Sequence, residues 1–251
     1  MTKLALITGG SRGLGRSMAL HLARKGRDII LTYQRDKASA DEVVEAIKAK
    51  GQRAVALQLD VARAETFSSF AETVKMVLRD TFNRSEFDYL INNAGSGLHQ
   101  NLMETTEEQF MQMMNEHIKA PFFLSQRLIP LMADGGRILN VSSGLTRIIH
   151  PGYGAYAIMK TAVEALTLYL AKELGPRRIA VNTLAPGAIE TDFRGGAVRD
   201  NKDVNAQIAA ITALGRVGLP DDIGGVVAAI LDDEAGWING QRIEASGGQA
   251  I

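Results

Sequence analysis

Short apolar segments recur along the chain, and longer amphipathic segments separate them. A short apolar run without alternation is typical of a parallel strand that is covered on both faces, whereas apolar positions three to four residues apart predict a helix. The seven strands predicted in this way cover residues 4–7, 28–33, 53–59, 88–92, 136–141, 178–183 and 240–244. The helices predicted between them cover residues 16–23, 37–50, 64–79, 106–131, 155–174 and 221–231.

Strands that alternate with helices predict the α/β fold class, here a single doubly wound, seven-stranded parallel sheet with helices on both faces. No linker, internal repeat or low-complexity tract interrupts the pattern, so one domain over residues 1–251 is the simplest account. Within the long helix after the fourth strand, Pro121 predicts a kink or a break near Lys119.

The first strand runs directly into a turn with three spaced glycines, and a helix follows. Glycine lets a backbone turn tightly and lets a ligand approach closely, and a helix N-terminus presents free N–H groups to a pyrophosphate. This order is typical of the first unit of a dinucleotide-binding, Rossmann-like fold, although glycines alone would also fit an ordinary tight turn. The residues of the turn that we expect at the cofactor are Gly9, Ser11, Arg12, Gly13, Leu14 and Gly15.

The end of the second strand favours NADP(H) over NAD(H). In NAD-type sites an acidic residue at this place accepts hydrogen bonds from the adenosine ribose hydroxyls. Here the chain reads Tyr33, Gln34, Arg35, and the first acid is Asp36. Arg35 and Arg12 could together bind a 2′-phosphate through bidentate, charge-assisted bonds. For Arg35 alone, a solvated loop charge is an equally good interpretation.

Composition excludes several classes of site and partner. The 28 Lys and Arg residues balance 28 Asp and Glu residues, so the formal charge of zero disfavours nucleic acid or an anionic membrane as a partner. The sequence contains no cysteine, so disulfides and thiolate ligands or nucleophiles are impossible, and no metal site is predicted. No apolar run approaches the roughly 20 residues of a membrane span and no signal peptide is evident, so we expect a soluble, cytoplasmic protein.

Tyr156 and Lys160 lie one helical turn apart and therefore share a face of the predicted helix. A phenol with a pKa of about 10 is a poor proton donor at neutral pH, and a nearby ammonium group lowers that pKa by favouring the phenolate. Ser143 ends the fifth strand, where its hydroxyl could donate to the same carbonyl oxygen. A Tyr-x-x-x-Lys pair is common by chance, but its place after Ser143 in a chain with a dinucleotide turn favours a catalytic interpretation.

With these motifs in order, the chain resembles the classical short-chain dehydrogenase/reductase family over almost its whole length, and within it the 3-oxoacyl-[acyl-carrier-protein] reductase type. The resemblance implies hydride transfer between a nicotinamide and a carbonyl or alcohol carbon, with Tyr156 as the general acid in reduction. It implies that Lys160 binds the nicotinamide ribose, that Ser143 orients the substrate oxygen, and that Asn115 holds a water of the proton relay. It rests on the glycine turn and on Asp60, Asn92, Asn93, Ala94, Gly95, Asn115, Ser143, Tyr156, Lys160, Pro186 and Gly187.

The resemblance also implies further cofactor contacts and a homotetramer, in which the helices of Asn115 and Tyr156 form a dimer interface. Asp60 could accept from an adenine amino group, and a turn or N-cap role is compatible with that contact. Ile189 and Thr191 match positions that contact the carboxamide. The cofactor-binding residues expected outside the glycine turn are Arg35, Asp60, Val61, Asn93, Ala94, Gly95, Tyr156, Lys160, Pro186, Gly187, Ile189 and Thr191.

The substrate is the least determined part of the prediction. Pocket walls are expected from residues 96–103, 144–153 and 188–214, and the irregular segment 188–220 is expected to form a lid. Few basic residues, among them Arg137 and Arg177, are available for an acyl carrier protein, so a small-molecule ketone or a 3-oxoacyl thioester is the leading substrate. The alternatives are an NAD-linked secondary alcohol dehydrogenase and, from another class, a non-catalytic dinucleotide-binding sensor.

Overall fold

A computed structural model of the chain describes residues 2–251 and contains one seven-stranded sheet in which all neighbouring strands are parallel. The strands are β1 (Leu4–Ile7), β2 (Asp28–Tyr33), β3 (Ala54–Gln58), β4 (Phe87–Asn92), β5 (Met132–Val141), β6 (Ala180–Pro186) and β7 (Arg242–Ala245). Their order across the sheet is β3-β2-β1-β4-β5-β6-β7. The strands β2 and β3 are thus added on one side of β1, and β4 to β7 on its other side. This reversal of strand order makes a switch point between β1 and β4, which opens a crevice at the carboxyl ends of the strands. The doubly wound α/β fold is confirmed.

Helices cover both faces of the sheet. They are α1 (Gly13–Arg24), α2 (Lys37–Lys48), α3 (Phe67–Phe82), α4 (Glu107–Met114), α5 (Ala120–Leu128), α6 (Gly154–Glu173), α7 (Ala197–Asp200), α8 (Lys202–Ala210) and α9 (Pro220–Ile230). Within residues 2–251 no helix is both long enough and apolar enough to cross a membrane.

Two apolar layers enclose the sheet because successive strand residues point to opposite faces. On one face, Ala5 and Ile7 of β1 pack in a cluster with residues of α1, α2 and α9. On the other, Leu4 and Leu6 pack in a cluster with residues of α3 and α5. All four β1 side chains are buried, which explains the uninterrupted apolar run in the sequence.

The strand and helix bounds differ from the predicted ones where local backbone overrides the apolar pattern. Arg178 adopts a left-handed φ of +55°, so β6 cannot begin there and runs from Ala180 to Pro186 instead. The helix α3 continues to Phe82 and ends at Asn83, whose φ is +57°. The segment 188–220 is more regular than predicted, because it contains α7 and α8.

The kink predicted near Lys119 takes the form of a π-helical turn, Asn115–Lys119, between α4 and α5. Pro121 lacks an N–H group, and in a regular α-helix its ring would clash with the carbonyl four residues earlier, that of His117. The wider π turn relieves that clash and rotates the residues before Pro121 relative to those after it. Single π turns of this kind often occur at functional sites.

Candidate active site

The turn between β1 and α1 has glycines at positions where a side chain would clash or would strain the backbone. Gly9 and Gly13 have positive φ angles of +67° and +53°. A Cβ atom on Gly15 would lie 2.2 Å from the carbonyl oxygen of Gly9 and 2.7 Å from Asn93 Nδ2. The first N–H groups of α1 begin at this turn and have no acceptor within the helix, so they suit an anion. The turn also contains the predicted residues Ser11, Arg12 and Leu14.

Asn93 and Thr8 fasten the end of β4 to the glycine turn. Asn93 Nδ2 donates to the carbonyl oxygens of Thr8 and Gly9 at 2.9 and 3.2 Å. The backbone N–H groups of Asn93 and Ala94 donate to the Thr8 hydroxyl at 2.9 and 3.0 Å. The Asn93 side chain therefore fixes the crevice between β1 and β4, and Gly95 follows it directly.

The end of β2 carries exposed positive charge. Arg12, at the N-cap of α1, and Arg35 are both exposed. The nearby carboxylate of Asp36 caps α2 by accepting from the N–H and hydroxyl of Ser39 at 3.0 and 2.6 Å. These hydrogen bonds, with a smaller contribution from the charge of Arg12, lower the pKa of Asp36. Asp36 is thus engaged in capping and lies close to Arg12.

The other predicted cofactor residues lie along the carboxyl edge of the sheet. Asp60 lies after β3, and its carboxylate accepts a hydrogen bond from the N–H of Ala62 at 3.0 Å. Asp60 therefore stabilises the turn that follows β3. Thr191, which follows β6, lies close to the glycine turn: a Cβ atom on Gly13 would be 3.7 Å from the Thr191 side chain. This segment therefore faces the glycine turn across the crevice. The remaining predicted residues of the edge are Val61, Pro186, Gly187 and Ile189.

Tyr156 and Lys160 lie on one face of α6, and both are buried. Lys160 Nζ donates to the carbonyl oxygen of Val141 at 2.8 Å and lies 5.6 Å from the centre of the Tyr156 ring. Burial raises the pKa of Tyr156, and a hydrogen bond with the Ser143 hydroxyl opposes that rise. Burial lowers the pKa of Lys160 to about 8, against the opposing charge of Glu116. At neutral pH the phenol thus keeps its proton and the amine is mostly charged.

The π turn brings His117 and Glu116 to this pair, and the sequence analysis assigned neither of them a role. The His117 ring meets the Tyr156 ring edge to face, with centroids 5.2 Å apart. Glu116 is among the charges that act on Lys160. The predicted residue Asn115 opens the turn, and its Oδ1 is buried with no hydrogen-bond partner among the described residues. Pro121, four residues after His117, was the available signal for this turn.

The three segments expected to wall the substrate pocket meet near Tyr156. Leu98 and Leu145 pack against the cluster that contains Tyr156. The Phe193 ring lies 5.9 Å from the Tyr156 ring. Ile149 is 85% exposed and does not contribute a buried wall. Nearby, the rings of His99 and His150 and the guanidinium group of Arg194 surround the ring of Tyr153.

Comparison with known proteins shows similarity over nearly the whole chain. A family model described as enoyl-(acyl carrier protein) reductase matches residues 9–250. The structure of LugOII, a promiscuous reductase that catalyses keto-reduction at C1 during lugdunomycin biosynthesis, is similar with a TM-score of 0.93 and 40% identity over 99% of this chain and 98% of that one. The angucycline C-6 ketoreductase LanV with bound NADP has a TM-score of 0.93 and 37% identity, over 99% and 95%. The 3-oxoacyl-[acyl-carrier-protein] reductase FabG of Staphylococcus aureus is 37% identical over 99% of this chain and 98% of its own length.

Proposed function

The chain belongs to the classical short-chain dehydrogenase/reductase family of oxidoreductases, and on that premise we propose that it reduces a ketone to an alcohol with NADPH. The observation that carries this proposal is the shared face of α6, where Tyr156 and Lys160 lie beside Ser143 at the same edge of the sheet as the glycine turn. A non-catalytic dinucleotide sensor would not need this set of side chains.

The residues at the carboxyl edge fit NADPH. The first N–H groups of α1 have no acceptor within the helix and suit a pyrophosphate, and the exposed pair Arg12 and Arg35 suits a 2′-phosphate, with Asp36 already engaged in capping. The relative LanV has NADP bound. We assign the remaining contacts to the predicted residues Asp60 to Val61, Asn93 to Gly95 and Pro186 to Thr191. When bound, the nicotinamide supplies the hydride.

The chain's own residues supply the proton and orient the substrate. Tyr156 holds a proton at neutral pH because burial raises its pKa, so it can donate that proton to the oxygen of the reduced carbonyl. Ser143 can donate a hydrogen bond to the same oxygen and so stabilise the charge that develops there. Lys160, held by the carbonyl oxygen of Val141, keeps a positive charge next to the phenol and favours its ionised form after donation.

A small-molecule ketone with an apolar body is the proposed substrate class. The relatives LugOII and LanV are described as acting in keto-reduction, and the walls formed by Leu98, Leu145 and Phe193 are apolar. A protein-bound 3-oxoacyl chain has less support. Arg137 is buried, and Arg177 is paired with Asp134 at 2.7 Å, so neither guanidinium group is free to meet an acidic carrier.

We further infer that residues 1–251 act as one domain within a homotetramer. The outer faces of α5 and α6 expose large apolar side chains, which an interface would cover. Light scattering on the wild type and on Tyr169→Glu, with Lys172→Glu as a control on the same helix, tests this inference. The tetramer should dissociate only in the first variant. The large apolar side chains exposed on the outer faces of α5 and α6 are Phe122, Phe123, Ile158, Leu168 and Tyr169.

The decisive experiment compares NADPH and NADH oxidation with two substrates, a benzo-fused cyclic ketone, 2-tetralone, and a short 3-oxoacyl thioester. Turnover of 2-tetralone with NADPH, at least about tenfold faster than with NADH, is the expected result. A preference for NADH would overturn the assignment of Arg12 and Arg35. Exclusive turnover of the thioester would replace the proposed substrate class, and no turnover of any ketone would reject the function.

A further inference from the structure

Arg194 lies half-buried at the entrance of the predicted substrate pocket, beside Tyr153. Its guanidinium group is 4.9 Å from the centre of the Tyr153 ring and donates a hydrogen bond to the Tyr153 hydroxyl. Tyr153 is the N-cap residue of α6 and comes three residues before Tyr156, a separation of roughly 4.5 Å along a helix axis. Phe193, next to Arg194 in the chain, has its ring 5.9 Å from the Tyr156 ring. The guanidinium group therefore lies close to the proposed proton donor.

The backbone of Arg194 has a conformation that favours glycine. Its φ and ψ angles are +53° and +44°, in the left-handed region. The two residues that follow, Gly195 and Gly196, also have positive φ angles, of +69° and +78°. A long side chain at the first of three left-handed positions is held there at a cost in backbone energy. Residues held in this way are found most often at functional sites.

Gly97, in the loop after β4, lets the segment of Arg194 approach the pocket closely. A Cβ atom on Gly97 would lie 2.5 Å from the Phe193 ring and 2.8 Å from Cγ of Arg194. The stem of Arg194 therefore rests on main chain on one side of the pocket. Its guanidinium group contacts Tyr153 in the wall formed by residues 144–153.

Arg194 forms no ion pair with any described residue, although carboxylates lie near it in the sequence. Asp192 and Asp200, on either side of it, both pair with Arg199 instead. The contact recorded for the guanidinium group of Arg194 is the one with the neutral Tyr153 side chain. Two arginines of the same segment thus differ, because one has two anionic partners and the other has none.

The other walls of the pocket supply no anion to Arg194. Residues 96–103 and 144–153 contain no Asp or Glu. In the third wall segment, Glu190 accepts from the side-chain amide of Asn205 at 2.7 Å, and Asp203 is exposed on α8. Among the described wall residues, the positive charge at the entrance is therefore unbalanced, and an anionic part of a bound substrate would balance it.

We propose that Arg194 binds a carboxylate of the substrate, so that the preferred substrates are ketones with an apolar body and a carboxylate at the end remote from the carbonyl. The inference rests on the proposed function for the reacting end. A guanidinium group presents a planar fork of N–H donors that matches the two oxygens of a carboxylate. The Tyr153 hydroxyl accepts from Arg194, so its own hydrogen is free to be donated to the same carboxylate.

A kinetic test compares 4-oxo-4-phenylbutanoate with its amide, two ketones of nearly the same shape that differ in charge. With NADPH, we expect kcat/KM of the wild type to be at least about tenfold higher for the acid. The difference should lie in KM, because the contact is made equally in the ground state and the transition state. In Arg194→Gly the preference should fall below about twofold. Equal kcat/KM values for acid and amide in the wild type would overturn the inference and leave ketone reduction in place.

Arg178→Gly is the matched control. Arg178 is exposed and also has a left-handed φ, of +55°, but it precedes β6 at the opposite edge of the sheet. Each substitution removes one positive charge and places glycine where the backbone favours it, so both variants should melt within about 4 °C of wild type. Arg178→Gly should keep the preference for the acid. Loss of the preference in both variants would indicate an effect of net charge and overturn the inference.

A binding test separates the inference from the proposed function. The probes 4-phenylbutanoate and 4-phenylbutanamide contain no ketone, so calorimetry can measure their affinity without cofactor or turnover. Wild type and Arg178→Gly should bind the acid at least about tenfold tighter than the amide, whereas Arg194→Gly should bind both with similar affinity. If this difference is present but no ketone is reduced, the function fails and the carboxylate site stands. Acid binding that is unchanged in Arg194→Gly would overturn the inference even in an active reductase.

Cofactor titration of the same variants excludes a role of Arg194 at the cofactor. NADPH affinity in Arg194→Gly should stay within about threefold of wild type, because the guanidinium group contacts Tyr153 on the substrate side. A larger loss of NADPH affinity, without a loss in Arg178→Gly, would assign the arginine to the cofactor and overturn the inference.

Discussion

The glycine turn after β1 and the π turn before α5 face the same crevice, but different forces determine their shapes. At the glycine turn the backbone conformation determines the shape, and there is no space for a Cβ atom on Gly15. At the π turn Pro121 interrupts the regular helix, and two polar side chains approach Lys160 as a result, the buried His117 and the half-buried Glu116. A surface that binds a common cofactor can thus be made mostly of main chain, whereas proton transfer depends on side chains whose pKa values burial has moved.

The largest effect should come from removing the proposed proton donor while leaving the glycine turn intact. In Tyr156→Phe the ring still packs against His117, but no proton can be donated. We expect kcat to fall by about 10³-fold, or about 4 kcal/mol of transition-state stabilisation. NADPH affinity, measured by fluorescence titration, should change by less than about threefold, or about 0.7 kcal/mol. A variant that kept most of its turnover would show that another group donates the proton.

The converse change fills the glycine turn and leaves α6 untouched. In Gly15→Ala the new methyl group meets the Gly9 carbonyl oxygen and Asn93, and neither can move without disturbing β4. We expect the free energy of unfolding to fall by about 3 kcal/mol and NADPH binding to weaken together with it. Urea denaturation and cofactor titration measure the two effects. The control is Gly175→Ala, where an added Cβ meets nothing within 4 Å, and normal stability in both variants would contradict this account.

The same contrast explains what the sequence could predict. The bounds of β1 and β2 were predicted correctly, because each strand is a short, mostly apolar run with polar residues at its ends. The helices α7 and α8 were missed because they contain no fully buried residue and so show no apolar period. Around the π turn the apolar residues do not mark the buried side: Phe122, in the first turn of α5, is 45% exposed, whereas His117 is 2% exposed. Helix register there depends on Pro121 and on packing, which no local pattern reports.

A smaller effect should distinguish what the arginine charge contributes to cofactor binding from what the backbone of the glycine turn contributes. Arg12→Ala removes one guanidinium group near Asp36 and leaves the glycines in place. The ratio of kcat/KM for NADPH to that for NADH should fall about tenfold, equivalent to about 1.4 kcal/mol, because one charge-assisted bond to the 2′-phosphate is lost. Activity with NADH should be unchanged. Arg16→Ala, an exposed arginine one turn further along α1, is the control. An unchanged ratio would mean that Arg12 is only a solvated charge.

The smallest effect concerns how the loop after Ser143 is held. Glu244 in β7 accepts from Arg147 at 2.5 Å, from Arg242 at 2.9 Å and from Ser246 at 2.7 Å. These partners, Arg147 foremost, lower the pKa of Glu244 to about 2 from an ordinary value of 4.5. Because the folded state holds the ionised form, the stabilisation is complete above pH 4.5 and is lost as the pH falls toward 2.

Glu244→Gln should therefore lower the free energy of unfolding by about 1 kcal/mol at pH 7, a modest figure because solvent screens the exposed end of Arg147. The difference from wild type should persist down to about pH 4.5 and shrink below it, as urea titrations at several pH values would show. Hydrogen exchange should quicken in residues 144–150 but not in the glycine turn, because backbone packing rather than charge holds that turn. Glu234→Gln, at an exposed carboxylate in the short 3-10 turn after α9, controls for the change in net charge. Equal acceleration in both regions would mean that charged contacts and backbone packing are not separate supports of the crevice.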